Sequence, residues 1–236
     1  RRTQEMALQG RPYAEHMRKL LADLAAQPHD DEKIPALLHS RDVNSVTIVH
    51  ITPDRGLTGG LTSNVNRAGA QFILGQDTNV SVVAVGKKGR DFMIRTGQEV
   101  QAVFSDLGDR PTVVDTTPIS RILIDDYTDG STDAVYLVYA DFVSTTMQTP
   151  IVEPLLPVTP AELRTEQAVG YIYEPDAADV LSELLPRFVE MQVYHAVLES
   201  IASEQSARMV AMRSATDNAN EMIVDLTLEM NKARQE

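Results

Sequence analysis

The stretch PDRGLTGGL, residues 53–61, lies between a β-branched run and a helical pattern, which is where α/β proteins bind phosphate groups. A dinucleotide-binding loop requires the spacing G-x-G-x-x-G, and Gly56, Gly59 and Gly60 do not have it. A Walker loop requires Lys and then Ser or Thr after its last glycine, whereas Leu61 and Thr62 follow here. The residues favour a tight turn with glycines at left-handed backbone angles. An α/β enzyme that binds a nucleotide or phosphate through residues 54–60 remains the alternative.

The other residues that could take part in catalysis show no arrangement typical of an active site. The chain has no cysteine, and no G-x-S-x-G pattern is present to position a serine nucleophile. The acidic pairs Asp30–Asp31 and Asp125–Asp126 are typical of solvated surfaces. No metal-ligand spacing links the histidines, which are His16, His29, His39, His50 and His195. We therefore predict no catalytic residue, no metal site and no cofactor.

The charge of the chain indicates which partners it has. It contains 21 basic and 34 acidic residues, for a formal net charge of −13. Such a surface repels nucleic acids and anionic lipid headgroups, since both require clustered Lys and Arg. No apolar run is long enough to span a bilayer, and the first residues lack the apolar core of a signal peptide. We expect protein partners, with no nucleic acid and no direct membrane insertion.

The middle of the chain alternates between strand and helix patterns. The helical patterns are LTSNVNRAGAQFILG after the glycine loop and residues 113–127. The strand patterns are VNSVTIVHI (43–51), VSVVAVG (80–86), DAVYLVYADFVS (133–144) and the Pro-containing TPIVEPLLPV (149–158), which is typical of an edge strand. Strands and helices that alternate in units of about thirty residues predict a parallel-leaning, Rossmann-like α/β domain with right-handed crossovers.

The C-terminal region has a different period. A heptad pattern begins at Leu181 and continues for about seven heptads, which predicts one side of a left-handed coiled coil. At 1.5 Å per residue this helix would be about 80 Å long, more than an α/β domain can cover. The positions at its seam are Leu181, Leu184, Phe188, Met191, His195, Leu198, Ala202, Gln205, Met209, Met212, Thr216, Ala219, Ile223, Leu226, Met230 and Ala233.

A second helical pattern, residues 1–26, can pair with this helix. Met6, Tyr13, Met17, Leu20 and Leu24 recur mostly at spacings of three and four. An antiparallel partner of this length reaches roughly to residue 205, because both helices rise by 1.5 Å per residue. The seam from residue 209 to 233 then has no partner inside the chain. Either another chain covers it, or the sequence lacks helix ends of the natural protein.

The segment GYIYEPDAAD, residues 170–179, precedes the long helix. Glu174, Pro175 and Asp176 are suited to the start of a helix. Tyr171 and Tyr173 alternate with smaller residues, and tyrosine is enriched at interfaces. A helix cap with half-buried tyrosines and a docking surface are both compatible with these residues.

Five stretches together resemble one family. They are RPYAEHMRKL (11–20), DRGLTGGLTSNV (54–65), YIYEPD (171–176), VEMQVY (189–194) and ASEQSARMVAMRSATDNANEMI followed by LEMNKARQ. In their order and sequence they closely resemble the gamma subunit of rotary F-type ATP synthases. The resemblance covers nearly the whole chain, and its C-terminal part is the most specific.

The resemblance implies a central rotor shaft without catalytic residues of its own. In that family an antiparallel coiled coil enters the hexamer of alpha and beta subunits, and the foot of the shaft meets the epsilon subunit and the c-ring. The shaft couples ion-driven rotation of the c-ring to conformational change at the catalytic sites of the beta subunits. The implied location is the cell membrane, as a peripheral protein on the cytoplasmic side of a bacterium. A non-rotating coiled-coil adaptor is a further alternative.

The resemblance also implies roles for particular residues. Arg234 and Gln235 match the ARQ motif that contacts the alpha/beta hexamer. Tyr13, Tyr171, Tyr173 and Glu174 match the region that meets epsilon and the c-ring. The coiled-coil seam is expected to include Leu198, Met209, Met212, Ile223 and Leu226.

Together these observations predict an α/β domain inserted between two long helices that form an antiparallel left-handed coiled coil. The expected divisions are an N-terminal helix (1–26), a linker (27–42), the α/β domain (43–158), a linker and docking segment (159–179) and a C-terminal helix (180–236). The family's first helix begins before Arg1 and its last continues past Glu236, so we expect the natural helix ends to be missing.

Overall fold

A computed structural model describes residues 35–159 and 177–235. A 3₁₀ turn at Ala36–Leu38 precedes the first strand and buries Leu37. The strands are β1 (Ser45–Ile51), β2 (Asn79–Val85), β3 (Glu99–Phe104), β4 (Ala134–Phe142) and β5 (Gln148–Leu156). The helices are α1 (Leu61–Leu74), α2 (Lys87–Arg95), α3 (Val113–Thr128) and α4 (Ala177–Gln235).

The strands form a mostly parallel sheet in the order β3-β2-β1-β4-β5. β1 pairs in parallel with β2 and β4, and β2 pairs in parallel with β3. β5 is antiparallel to β4 and lies at the edge, where its Pro150 and Pro154 remove donors that a neighbouring strand would need. The parallel-leaning α/β prediction and the edge position of β5 are confirmed.

Both faces of the sheet are covered, because successive strand residues point to opposite sides. Val46 and Ile48 of β1 pack with Leu61 and Val65 of α1 and with Met93 of α2. On the other face, Val49 and Ile51 pack with side chains of α3 and of the first half of α4, namely Ile119, Leu123, Tyr127, Leu185, Val189, Val193 and Val197. The fold is therefore a three-layer sandwich in which the long helix forms part of one outer layer.

The sequence patterns did not predict α2 and β3. α2 has nine residues, contains Gly89 and four basic residues, and buries only Gly89 and Met93. β3 lies at the sheet edge, and its residues alternate between exposed and half-buried positions. A short charged helix and a half-covered edge strand carry too few apolar residues for a periodic signal.

α4 is 59 residues long and corresponds to about 90 Å of helix. The prediction of a long C-terminal helix is confirmed. Pro186 lies inside its first turns and does not end it. The expected pairing with residues 1–26 lies outside the described residues. No helix in the described ranges combines the length and apolar composition that a bilayer crossing requires.

Candidate functional site

The carboxyl ends of the parallel strands form the edge where open α/β sheets bind ligands. Here α4 lies across that edge. Its Val197, Ser200, Ile201 and Glu204 face residues that end β1, β2 and β3, and the cavity left between them is about 50 Å³. Sites for small ligands and cofactors have volumes of about 300 Å³ or more. The helix therefore fills most of the crevice that these four residues face.

Asp54 of the glycine loop satisfies backbone donors at the same edge. Its Oδ1 accepts a hydrogen bond from the N–H of Lys87, the first residue of α2, at 3.0 Å. Its Oδ2 accepts one from the N–H of Asp106 at 2.9 Å. A helix N-terminus attracts anions, and here a carboxylate of the chain itself provides the negative charge. This geometry supports the interpretation of residues 54–60 as a strand-to-helix turn.

Two glycines that the sequence analysis did not single out bring α2 close to β1. Gly86 has φ of +97°, and a Cβ at this position would lie 1.9 Å from the carbonyl oxygen of Thr52. Gly89 donates its N–H to Thr52 Oγ1 at 2.7 Å. These glycines serve packing at the sheet edge. They could have been recognised only from the close approach of two segments, which a single sequence does not display.

The first half of α4 is packed against the sheet, and its second half is not. Leu198 is 2 % exposed and contacts Phe142 and Ala202. Ala207 is the last buried residue, and all residues from Met212 to Gln235 are exposed in the structure. At 1.5 Å per residue, about 40 Å of helix extends beyond Ala207.

The extended part carries large apolar side chains that the described residues leave open to solvent. Met209 is 55 % exposed and Ile223 is 61 % exposed, and the seam residues Met212 and Leu226 are exposed as well. Leu198 of the proposed seam is thus placed in the domain core, and the other four lie on the extended part. Exposed apolar surface of this extent is typical of a protein–protein contact.

A second apolar pair lies on the opposite side of this helix. Val224 and Leu228 are four residues apart, so they share one face, and both are more than half exposed. Leu228 is two residues from Leu226 and therefore about 200° away from it around the helix axis. A heptad pattern does not reveal these residues, because they fall outside its seam positions. The extended helix is suited to contacts on more than one side.

Of the remaining proposed contact residues, two lie at the end of α4 and four lie outside the described residues. Arg234 and Gln235 are exposed in the last turn of α4, where Arg234 and Lys232 complement the negative end of the helix dipole. Tyr13, Tyr171, Tyr173 and Glu174 lie outside the described residues.

Two clefts flank the place where α4 leaves the sheet. One, of about 360 Å³, lies between the glycine loop, the β4–β5 turn at Thr146–Gln148 and α4 residues from Ala207 to Ser214. The other, of about 380 Å³, is lined by charged side chains that include Asp54, Arg208 and Glu204. Burial raises the pKa of the Glu204 carboxyl, and the hydrogen bond from Arg208 opposes that rise. Among the described residues, no group of three His, Asp or Glu side chains is arranged to hold a metal ion.

Comparisons with known proteins agree with this arrangement. The family model described as ATP synthase matches residues 1–236. The ATP synthase gamma chain of Dehalococcoides mccartyi (strain CBDB1) is 56 % identical over 236 residues, which are 100 % of this chain and 83 % of that protein. The ATP synthase gamma chain of Roseiflexus sp. (strain RS-1) is 47 % identical over 238 residues, with 100 % and 82 % of the two chains covered.

Solved structures share the fold. A chain from the central stalk and c-ring of Tetrahymena thermophila mitochondrial ATP synthase has a TM-score of 0.64 at 20 % identity, with 92 % of this chain and 100 % of that chain covered. A chain from the rotor of Euglena gracilis mitochondrial ATP synthase has a TM-score of 0.60 at 18 % identity, with 99 % and 91 % covered. By its match to the family model and its identity to these relatives along its whole length, this chain belongs to the ATP synthase gamma chain family.

Proposed function

We propose that this protein is the central rotor shaft of an F-type ATP synthase and has no catalytic site of its own. The observation that carries the proposal is the division of α4 into a half packed against the sheet and a half that extends beyond Ala207. A single continuous helix rigidly joins the two halves. Rotation of the α/β domain would therefore turn the extended part as well.

The extended part is the segment that would act on the catalytic subunits. Its apolar side chains lie on two sides, at the seam residues Met209 and Ile223 and at the pair Val224 and Leu228. Two faces fit two kinds of contact, one with a partner helix and one with a surrounding subunit. We assign the seam of the extended part to a partner helix that packs antiparallel to α4. We assign the outer face and the exposed Arg234 and Gln235 to the hexamer of alpha and beta subunits.

Other residues of the chain would meet the remaining partners. We propose that Tyr13, Tyr171, Tyr173 and Glu174 contact the epsilon subunit and the c-ring, which places the protein at the membrane as a peripheral subunit. On the cytoplasmic side of a bacterial membrane, the protein would then convert c-ring rotation into changes at the beta subunits. The division at 1–26, 27–42, 43–158, 159–179 and 180–236 is part of the same proposal.

Reconstitution tests this function. Alpha, beta and epsilon subunits and c-ring-containing vesicles are combined with and without this protein, and ATP hydrolysis and proton transport are measured together. We expect coupled transport only when the protein is present, and no hydrolysis by the protein alone. Coupled transport without it would contradict the proposal, and submillimolar binding of ATP, ADP or NAD to the isolated chain would favour the enzyme alternative.

Arg234→Ala tests the proposed contact with the hexamer. The exposed side chain makes no contribution to the packed core, so the stability of the α/β domain should not change. The ratio of protons transported to ATP hydrolysed should fall, because a charged contact to the catalytic subunits is lost. Lys232→Ala, two residues away on a different face, serves as the matched control. An unaltered ratio in the Arg234 variant would remove this residue from the proposed interface.

A further inference from the structure

Strand β4 continues beyond the end of its neighbour β1. The β1–β4 register runs from Val46 opposite Ala134 to His50 opposite Val138. On its other edge, β4 stays paired with β5 as far as Phe142 opposite Gln148. The last residues of β4 therefore have a strand on one edge only, although Ala140 and Phe142 are buried. Buried backbone groups on the open edge require another partner.

β1 cannot supply that partner. If the register continued for three more residues, Pro53 would lie opposite Asp141, and proline has no N–H to donate. The chain instead turns toward β2 and α2. Thr52 donates its N–H to Val85 of β2 at 2.8 Å, and the carbonyl oxygen of Pro53 accepts a hydrogen bond from Lys88 at 3.2 Å.

Two side chains of α4 bind the open edge instead. Glu199 Oε2 accepts a hydrogen bond from the N–H of Phe142 at 3.1 Å. Ser203 Oγ donates one to the carbonyl oxygen of Ala140 at 3.0 Å. In a parallel ladder, a single residue of the adjacent strand bonds to the C=O of one residue and to the N–H of the residue two positions later. Glu199 and Ser203, one helical turn apart, take the place of that residue.

The position of these bonds decides how α4 is held. The hydrophobic effect is not directional, so apolar burial specifies the orientation of a helix on a sheet less sharply than a hydrogen bond does. Hydrogen bonds in a buried environment are directional and costly to break. Both Glu199 and Ser203 are buried, and they lie just before Ala207, where the helix leaves the domain. The two directional bonds thus act on α4 close to the start of its extended part.

We propose that Glu199 and Ser203 are positioning residues that fix α4 to the sheet against rotation, and we call the pair the strand-completing clamp. The clamp transmits the turning of the α/β domain to the extended helix without slip. This role rests on the proposed rotor function, but the geometry of the clamp can be tested separately from it.

Amide hydrogen exchange tests the geometry on the full chain. Glu199→Leu removes the acceptor for Phe142, so the protection of the Phe142 amide should fall at least tenfold relative to that of Val138. Glu199→Gln keeps an acceptor oxygen and should retain most of the protection. Ser200→Ala is the matched control, because Ser200 is also buried on α4 and lies beside Glu199. Unchanged protection in Glu199→Leu would overturn the assignment.

Coupling in the complete ATP synthase tests the role. Ser203→Ala and Glu199→Leu should each lower the ratio of protons transported to ATP hydrolysed at least twofold while hydrolysis continues. Glu199→Gln and Ser200→Ala should keep the ratio of the unsubstituted complex. A merely structural role would instead lower the amount of assembled complex and leave the ratio unchanged. If the complex with Glu199→Leu does not assemble, the coupling ratio of the Ser203→Ala complex tests the role, since this variant removes only a hydroxyl group.

The two proposals fail in different ways. If the unsubstituted protein does not restore coupled transport, the rotor function is wrong. The clamp is wrong, and the rotor function stands, if the unsubstituted protein restores transport and two variants are also fully coupled. These variants are Ser203→Ala and the double variant with Glu199→Gln and Ser203→Ala.

Discussion

His50 is a buried histidine that the fold holds in its neutral form. It lies on β1 and is fully buried beneath α1 and α2, where Gly69 and Gly89 leave room for its ring. Its Nε2–H donates to Asn66 Oδ1 at 2.9 Å, while Nδ1 has no hydrogen-bond partner among the residues that the structure describes. Burial lowers the pKa of His50 from 6.5 to about 4, against a smaller opposite effect of the Asn66 bond.

This pKa predicts a loss of stability in acid. Between pH 6.5 and pH 4 the unfolded chain binds a proton at His50 and the folded chain does not, so the free energy of unfolding falls as the pH falls. The difference in pKa corresponds to a loss of about 2 kcal/mol between pH 7 and pH 5. Urea unfolding at the two pH values measures it.

Two variants isolate the contribution of His50 from that of other titrating groups. His50→Gln keeps a donor for Asn66 and has no proton to gain, so its loss between pH 7 and pH 5 should be smaller by about 2 kcal/mol. His39→Gln, at an exposed position, should lose as much stability between pH 7 and pH 5 as the unsubstituted protein does. An equal pH dependence in both variants would show that His50 is not the responsible group.

Gly86 is the glycine whose replacement should have the largest effect. Gly86→Ala places a Cβ against the carbonyl oxygen of Thr52 at a positive φ, so the free energy of unfolding should fall by about 3 kcal/mol or more. At Gly97 φ is +76° and a Cβ would meet no atom within 4 Å. Gly97→Ala should therefore cost only about 1 kcal/mol of backbone strain. The free energies of unfolding of the two variants, measured with urea, should differ clearly. Equal losses of stability would contradict the close approach of Gly86 to Thr52.

At the scale of elements, α4 lies in two environments that the heptad pattern could not distinguish. The pattern predicted one seam along the entire helix. In the packed half, Leu185, Val189 and Val193 are also buried although they lie off that seam, because they contact α3 and the sheet. A seam pattern describes contact with one neighbouring helix, whereas this half contacts a whole layer. The length of the helix was predictable from the sequence, and the point where it leaves the domain was not.

A proline in the extended half should separate the two environments. Ala215→Pro removes a helix hydrogen bond and costs about 3 kcal/mol or more within that segment. The packed half ends at Ala207, so the urea midpoint of the α/β domain should not change while helix content measured by circular dichroism falls. Ala215→Gly, at about 1 kcal/mol, is the control that should keep the helix. A lower midpoint for Ala215→Pro would show that the extended half helps to stabilise the domain.

At the scale of the whole molecule, the candidate site divides into a predictable and an unpredictable part. The glycine spacing of residues 54–60 predicted a strand-to-helix turn, and α1 begins at Leu61 directly after it. The occupation of the sheet edge by α4 could not be predicted, because it joins residues about ninety or more positions apart. The same holds for the bonds from Glu199 and Ser203 to β4, whose donors and acceptors are backbone atoms without a sequence signature. Local chemistry is visible in a sequence, and long-range hydrogen bonds are not.

The exposed helix beyond Ala207 should affect how quickly proteases degrade subunits that are not yet assembled. The backbone of the α/β domain is held in the sheet and in helices packed against it, so proteases should cleave it slowly. From Met212 to Gln235 every described residue of this helix is exposed, so this part should fray most readily. Within the described ranges, limited proteolysis of the isolated chain should cut first on the carboxyl side of Ala207, and early cuts within residues 45–142 would contradict this. Subunits outside a complex would therefore be degraded from the same segment that assembly covers.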